Sequence, residues 1–371
     1  MKLSTLRIFV IAILATTLAR EGRAADQAKD GSSKPLARWT LSTADTTLTV
    51  GASVDHKLYL YELRGPTGWN WTAAPSPFPL VKRLDLAGVA CEPSWRYRDG
   101  TVDTSEGTKV VITFTNAHPA MEISSVWHAR GGPGPVRHAL FIRNNASQPV
   151  TIYHQESLRV KVAGPGNASP NVWYFNDDGS IPDKIGVYHE PLSPGYEKTL
   201  RISEEQDFIP FAAVDAGNTS GVYLGWEWSI GRVGIRQSSD GTLLQAGNRD
   251  DFRTDLQAGE TFEVPPGFLG AYAGDIDDCG HSLRRYLFNY SMPAMLKRDP
   301  GFPKVEWNAF APTGKKQGSW DPTEKKYYPF IDDIAPLGFE EVVIDVGWWS
   351  GYGDPGHIVT DPEDWPLGMP A

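Results

Sequence analysis

The sequence has few cysteines and no basic cluster. Cys91 and Cys279 are the only two in 371 residues, too few for a disulfide framework. Two separate thiols is the simpler reading of such a distant pair. The formal charge is −10 and no lysine or arginine block interrupts it. A nucleic-acid partner needs a basic face, so that class is set aside. No segment after the first 24 residues is apolar enough to span a bilayer. No fixed-period repeat appears, and no helical period of useful length precedes about residue 278.

What is present points to a turn-rich globular protein. Hydrophobic residues make up 40% and charged residues 22%, enough for a sizeable core. Glycine (37) and proline (29) imply many turns, and aromatics are generous, with 13 tryptophans. Residues 1–24 read as a secretory signal, with Lys2 and Arg7 ahead of an apolar run from Ile8 to Ala19. That run is too short for a membrane span, so the chain is expected to be exported, to a periplasm or the outside. Residues 25–37 are small and polar, an expected disordered leader. Five N-x-S/T sequons begin at Asn70, Asn145, Asn167, Asn218 and Asn289.

From residue 38 to residue 276 the pattern is one of short strands. Thr47-Leu48-Thr49-Val50, Lys57-Leu58-Tyr59-Leu60-Tyr61 and Leu158-Arg159-Val160-Lys161-Val162 alternate with period two. Lys109 to Phe114 and Ala139 to Ile142 are β-branched or aromatic runs of strand length, and Val150-Thr151-Ile152-Tyr153 returns to alternation. Clusters such as Gly131-Gly132-Pro133-Gly134-Pro135 punctuate them. This predicts a large antiparallel β-sandwich. Residues 277–303 hold a linking helix and linker: Leu283, Tyr286, Leu287 and Tyr290 make one apolar stripe, and Pro293 and Pro300 follow.

A second architecture occupies residues 304–371. Lys304 to Phe310 reads as a strand. Asp321-Pro322-Thr323-Glu324 reads as a helix start, with Tyr327, Phe330, Ile331 and Ile334 as its buried face. Pro329 should kink or shorten that helix, and Gly338 should cap it. Glu340-Glu341-Val342-Val343-Ile344-Asp345 then reads as a strand buried on both faces. Strand, helix and strand at this spacing make one βαβ unit, the first of a (β/α)8 barrel cut short in this chain. The fold expected is thus multidomain, a β-sandwich followed by the opening of a barrel. In such barrels the C-terminal strand ends carry the chemistry. Asp345 there, beside Trp348 and Trp349, suits a sugar: the carboxylate accepts hydroxyl hydrogens and the indoles face the apolar side of a pyranose. Trp307, on the first barrel strand, is a further candidate wall. Buried aromatic packing is the competing reading for all three tryptophans.

Several of these segments resemble the glycoside hydrolase family 36 α-galactosidases. Val136-Arg137-His138-Ala139-Leu140-Phe141-Ile142-Arg143-Asn144-Asn145 looks like the family's arginine–strand–Asn segment, and Gly225-Trp226-Glu227-Trp228-Ser229 like its tryptophan-bearing strand. Asp251 to Pro265, with Leu256, Gly259-Glu260, Phe262 and Pro265, is similar to its F-x-x-x-L-x-x-G-E-x-F-x-x-P stretch. Asp345-Val346-Gly347-Trp348 follows where the family usually has Asp-Asp-Gly-Trp. The resemblance implies a secreted enzyme that hydrolyses terminal α-galactosides with retention, its partner an oligosaccharide or glycoside, and no metal, nucleotide or redox cofactor. It makes Asp345 the holder of sugar hydroxyls. The family's catalytic pair, two aspartates on later barrel strands, falls outside this chain, so no catalytic residue is assigned. Val346 replaces the motif's second acid, and His357 and Ile358 stand where the family has Asp-Trp, so sugar and linkage stay open. A non-catalytic carbohydrate-binding sandwich, or a related α-glycosidase or transglycosidase of another specificity, is the alternative. A homo-oligomer is compatible with the sequence.

Other acids read as structural. Glu340 and Glu341 open their strand, at the end where stability rather than chemistry is usual. Glu306 suits an ion pair, with a substrate contact as the alternative. Asp177-Asp178-Gly179 suits a turn. Asp275, Asp277, Asp278, Cys279 and His281 suit an acidic helix start better than a metal loop.

Overall fold

A computed structural model describes residues 33–72, 74–166, 170–176, 186–203, 206–298, 301, 304–308, 323–344, 348–350 and 359–368. The signal, most of the leader and the Asp177-Asp178-Gly179 turn lie outside the described residues. The chain divides into two compact units, Met1–Tyr286 and Leu287–Ala371.

The first unit is an antiparallel β-structure. Among the described residues, its strands form one sheet of 13 and two of four. The alternation read from sequence is the cause. In the strand Met121–Ala129, Met121, Ile123, Ser125, Trp127 and Ala129 point inward while the residues between them are half-exposed. One continuous core joins Val50 and Leu60 of a small sheet, Ile152 of the other, and Ile123, Trp127, Val222 and Trp226 of the large one. Trp71, Trp127 and Trp226 are fully buried within it.

Two expected boundaries shift. The strand Pro35–Ser42 begins inside the segment read as a leader. It pairs with Thr47–Ser53 at a sheet edge, where the missing N–H of Pro35 costs no ladder bond. The helix read as part of a linker, Ile276–Tyr286, starts within one residue of the expected position but groups with the first unit. Its buried residues are Cys279, Ser282 and Tyr286, whereas Leu287 and Tyr290 are exposed in a following π-turn. Cys279 packs with Phe211, Ala213, Tyr223, Phe268 and Tyr272 on the outer face of the large sheet.

That face is flattened by cross-strand pairs of glycine and aromatic residues. Strand Ser220–Trp226 pairs with Thr261–Ala273 so that Gly225 lies opposite Phe268 and Tyr223 opposite Gly270. A Cβ at Gly225 would sit 2.0 Å from Phe268 Cζ, and one at Gly270 2.3 Å from Tyr223 Cζ. The rings therefore lie over bare backbone, leaving a surface low enough for the helix to cover.

In the second unit, Glu306–Asn308 pairs in parallel with Glu341–Val343, and the helix Glu324–Ile334 connects them. This is the expected strand–helix–strand unit. Tyr327, Phe330 and Ile334 are buried with Trp365, but Ile331 is 38% exposed and lies outside the apolar stripe. The described helix has Thr323 as its N-cap rather than Asp321, which lies outside the described residues. Pro329 sits within it, and a short 3-10 turn, Ala335–Leu337, ends on Gly338 in the left-handed conformation (φ 92°).

Candidate active site

The parallel ladder sets the geometry. Glu340 N donates to Val305 O (2.8 Å), and the Glu340 carboxylate accepts from Val305 N (3.0 Å). Glu341 pairs with Lys304. The two glutamates thus pin the N-terminal end of the ladder, as expected, and Ile344 leaves it at the opposite end. The strand is not covered on both faces. Val342 packs on the helix-side core, but Val343 is 37% exposed, because the described helix covers one face only. Glu306 is exposed and forms no ion pair with a described residue.

Asp345, His357 and Ile358 lie outside the described residues. The tryptophans do not. The Trp307 ring stands edge-on to Phe330 (5.7 Å) and Phe339 (5.1 Å), half-buried against the core of the unit. Its Nε1 is buried with no hydrogen bond to a described residue. Trp348 packs on the same cluster, and Trp349 stands edge-on to Trp348 at 5.3 Å. Trp349 lies opposite Thr360 in a short antiparallel pair, and Asp361 N donates to Trp348 O (3.0 Å). Trp365 joins the buried cluster against Tyr327 (5.5 Å). Glu324 ties this segment down: its backbone N–H donates to Asp364 O (2.9 Å) and its carboxylate accepts from Leu367 N (3.3 Å). Trp307 and Trp348 are therefore brought to one aromatic core, and Trp349 stands against Trp348.

The acidic cluster at residue 275 is a helix cap. Asp275 Oδ1 accepts from the backbone N–H of Asp277 (2.9 Å) and Asp278 (3.2 Å), and Asp278 Oδ2 accepts from Asp275 N (3.2 Å). This is a reciprocal capping box built from two aspartates. Among the described residues no group of three His, Cys, Asp or Glu side chains could hold a metal ion. Cys91 and Cys279 are separate thiols, and burial pushes the Cys279 thiol well up, away from nucleophilic use. No described helix is long and apolar enough to cross a membrane.

The sandwich motifs meet one another. Arg137 Nε donates to Glu227 Oε2 (2.8 Å), joining the arginine strand to the tryptophan strand. Asn144 is fully buried; its Nδ2 donates to Gln148 O (2.8 Å) and Leu256 O (2.9 Å), and its Oδ1 accepts from Ala146 N (2.9 Å). Its backbone accepts from Gly259 N (2.8 Å) and donates to Glu260 O (2.9 Å). His138 lies between them in the core. Its Nδ1 meets the Ser157 carbonyl, which can only accept, so Nδ1 carries the proton. Its Nε2 then accepts from Ser125 Oγ (2.9 Å), which itself accepts from Trp127 Nε1 (2.9 Å). The imidazole stacks on Trp127 at 4.0 Å, and burial lowers its pKa to about 3. It is a neutral, satisfied core histidine.

No family model matches the sequence, and no curated protein matches it. Solved structures do match the fold. The family 36 α-galactosidase AgaA of Geobacillus stearothermophilus, bound to 1-deoxygalactonojirimycin, aligns over 90% of this chain and 54% of its own, with 15% identity and a TM-score of 0.69. The galactosidase domain of the α-galactosidase-sucrose kinase AgaSK aligns over 89% and 53%, with 15% identity and a TM-score of 0.72. An α-galactosidase of Lactobacillus brevis aligns over 89% and 52%, with 14% identity and a TM-score of 0.67. The sandwich has the fold of the N-terminal β-sandwich of these enzymes. The chain spans about half the length of each.

Proposed function

We propose that this chain is the sandwich and the barrel opening of an exported, retaining glycoside hydrolase of α-galactosidase type. In the intact enzyme Asp345 accepts hydrogen bonds from sugar hydroxyls, Trp348 and Trp349 wall the pocket, and Trp307 supports it from the neighbouring strand. The two catalytic carboxylates, which a retaining enzyme holds about 5–5.5 Å apart, come from further barrel strands. The observation that carries this reading is the parallel pairing of Glu306–Asn308 with Glu341–Val343 in a chain whose sandwich has the fold of these α-galactosidases. A parallel pair joined by a helix, with Val343 bare on one face, is the kind of sheet that further strands and helices complete. Val346, His357 and Ile358 favour a sugar or linkage different from that of the usual family members.

The test is a panel of p-nitrophenyl α- and β-glycosides, applied to these 371 residues alone and to the chain extended by whatever open frame follows the codon for Ala371. The extended protein is expected to cleave an α-hexoside and the 371 residues alone to cleave none. Turnover by the shorter chain would overturn the assignment of the catalytic pair. An extended protein inert on every α-glycoside would overturn the enzyme reading.

A further inference from the structure

The outer face of the sandwich carries a cavity that the barrel reading does not use. It measures ≈ 770 Å³, inside the range of small-molecule sites, and its lining includes Arg137, Glu227, Trp228, Asn248, Phe252 and Phe262. Three features define its chemistry. Trp228 lies two residues beyond the strand that ends at Trp226, and where Trp226 is buried Trp228 is 58% exposed at the rim. Phe252 and Phe262 stack on each other at 5.4 Å in the wall, which gives it apolar surface. The charges cancel: Arg137, Arg249 and Arg253 stand against Glu227, Asp251 and Glu263, with Arg137–Glu227 and Arg249–Asp251 already paired at 2.8 and 2.9 Å.

Two acceptors in this wall lack donors. Glu227 Oε1 and Asn248 Oδ1 are buried and take no hydrogen bond from a described residue. Buried acceptors are normally satisfied, and because neither oxygen has exposed surface, a guest's hydroxyl or N–H reaches them only through a trapped water. A charge-balanced wall gives no net field to draw in a polyanion or a polycation. An exposed indole with stacked phenyl rings suits a ligand that has a flat C–H face together with hydroxyls.

We infer that this cavity is a non-catalytic binding site for a neutral glycan, with Trp228 as the stacking platform and the Arg137–Glu227 pair and Asn248 as the polar wall. Such a site would hold a polymeric substrate on the sandwich whatever the barrel hydrolyses, so it stands apart from the enzyme reading. The test is native electrophoresis of the full chain through gels cast with galactomannan, xyloglucan or starch, with dextran sulfate as the charged control. Retardation by at least one neutral polysaccharide is expected. Trp228→Ala should weaken it about three- to tenfold, as loss of an aromatic stacking contact does, and Trp228→Phe should restore part of it. The rim position of Trp228 allows these changes without disturbing the core. The inference is overturned by no retardation in any neutral gel, by stronger retardation in dextran sulfate, or by retardation lost in Trp349→Ala but kept in Trp228→Ala. A Trp228→Ala protein that changes its oligomeric state while binding glycan normally would also overturn it.

Discussion

Acidification should weaken the sandwich through His138. A free histidine titrates near 6.5, whereas burial lowers His138 to about 3. Between those values the unfolded chain binds a proton that the folded chain refuses. Stability therefore rises with pH across this window and is lost as pH falls through 6.5 toward 3. One pH unit is worth about 1.4 kcal/mol, so moving from pH 7 to pH 5 removes about 2 kcal/mol through this residue. Urea denaturation at the two pH values measures it. The reference is His138→Phe, which keeps a ring against Trp127 but has no proton to gain; it also leaves the Ser157 carbonyl without its donor. The variant should be less stable at pH 7, yet lose about 2 kcal/mol less than the parent on acidification. Parallel losses in the two proteins would refute the neutral, buried imidazole.

Two further outcomes follow from side chains that serve backbone groups. Asn144→Ala strands the Gln148 and Leu256 carbonyls and the Ala146 N–H, and should cost about 3 kcal/mol in urea denaturation. Asp275→Ala removes the cap of the helix Ile276–Tyr286 and should cost about 1 kcal/mol, while Asp275→Asn should cost little, because asparagine caps as well. Calcium should leave the melting temperature of all three proteins unchanged; a calcium-dependent rise in the parent alone would favour a metal loop over a cap.

The strands were legible because their information is local. Period-two alternation marked Thr47–Ser53, Val150–Tyr153 and Glu156–Val162, and a β-branched run marked Thr108–Asn116. The helix Glu324–Ile334 was legible from Tyr327, Phe330 and Ile334, but Ile331 falls outside a face narrower than composition alone suggests. The earlier helix was found where expected, with Leu283 and Tyr286 packed, but its apolar stripe was read one turn too far for a related reason. Its buried positions include Cys279 and Ser282, which do not register as an apolar stripe, while Leu287 and Tyr290 do and are exposed. What sequence could not reach was register. Nothing local announces that Gly225 will lie under Phe268, or that Arg137 will pair with Glu227 across 90 positions. The cavity beside that pair went unseen for the same reason. The tryptophans show a different limit, since an indole reads alike whether it packs on Phe330, as Trp307 does, or stands at a rim, as Trp228 does.

Asp345 offers the most direct measurement of the central claim. In a protein carrying this chain together with the further barrel strands proposed above, kcat/KM is measured for the best p-nitrophenyl α-glycoside before and after Asp345→Asn. A hydrogen bond to a charged group is worth up to about 3 kcal/mol, so kcat/KM should fall by about 100-fold, with circular dichroism unchanged. A variant that turns over as fast as its parent would contradict the account.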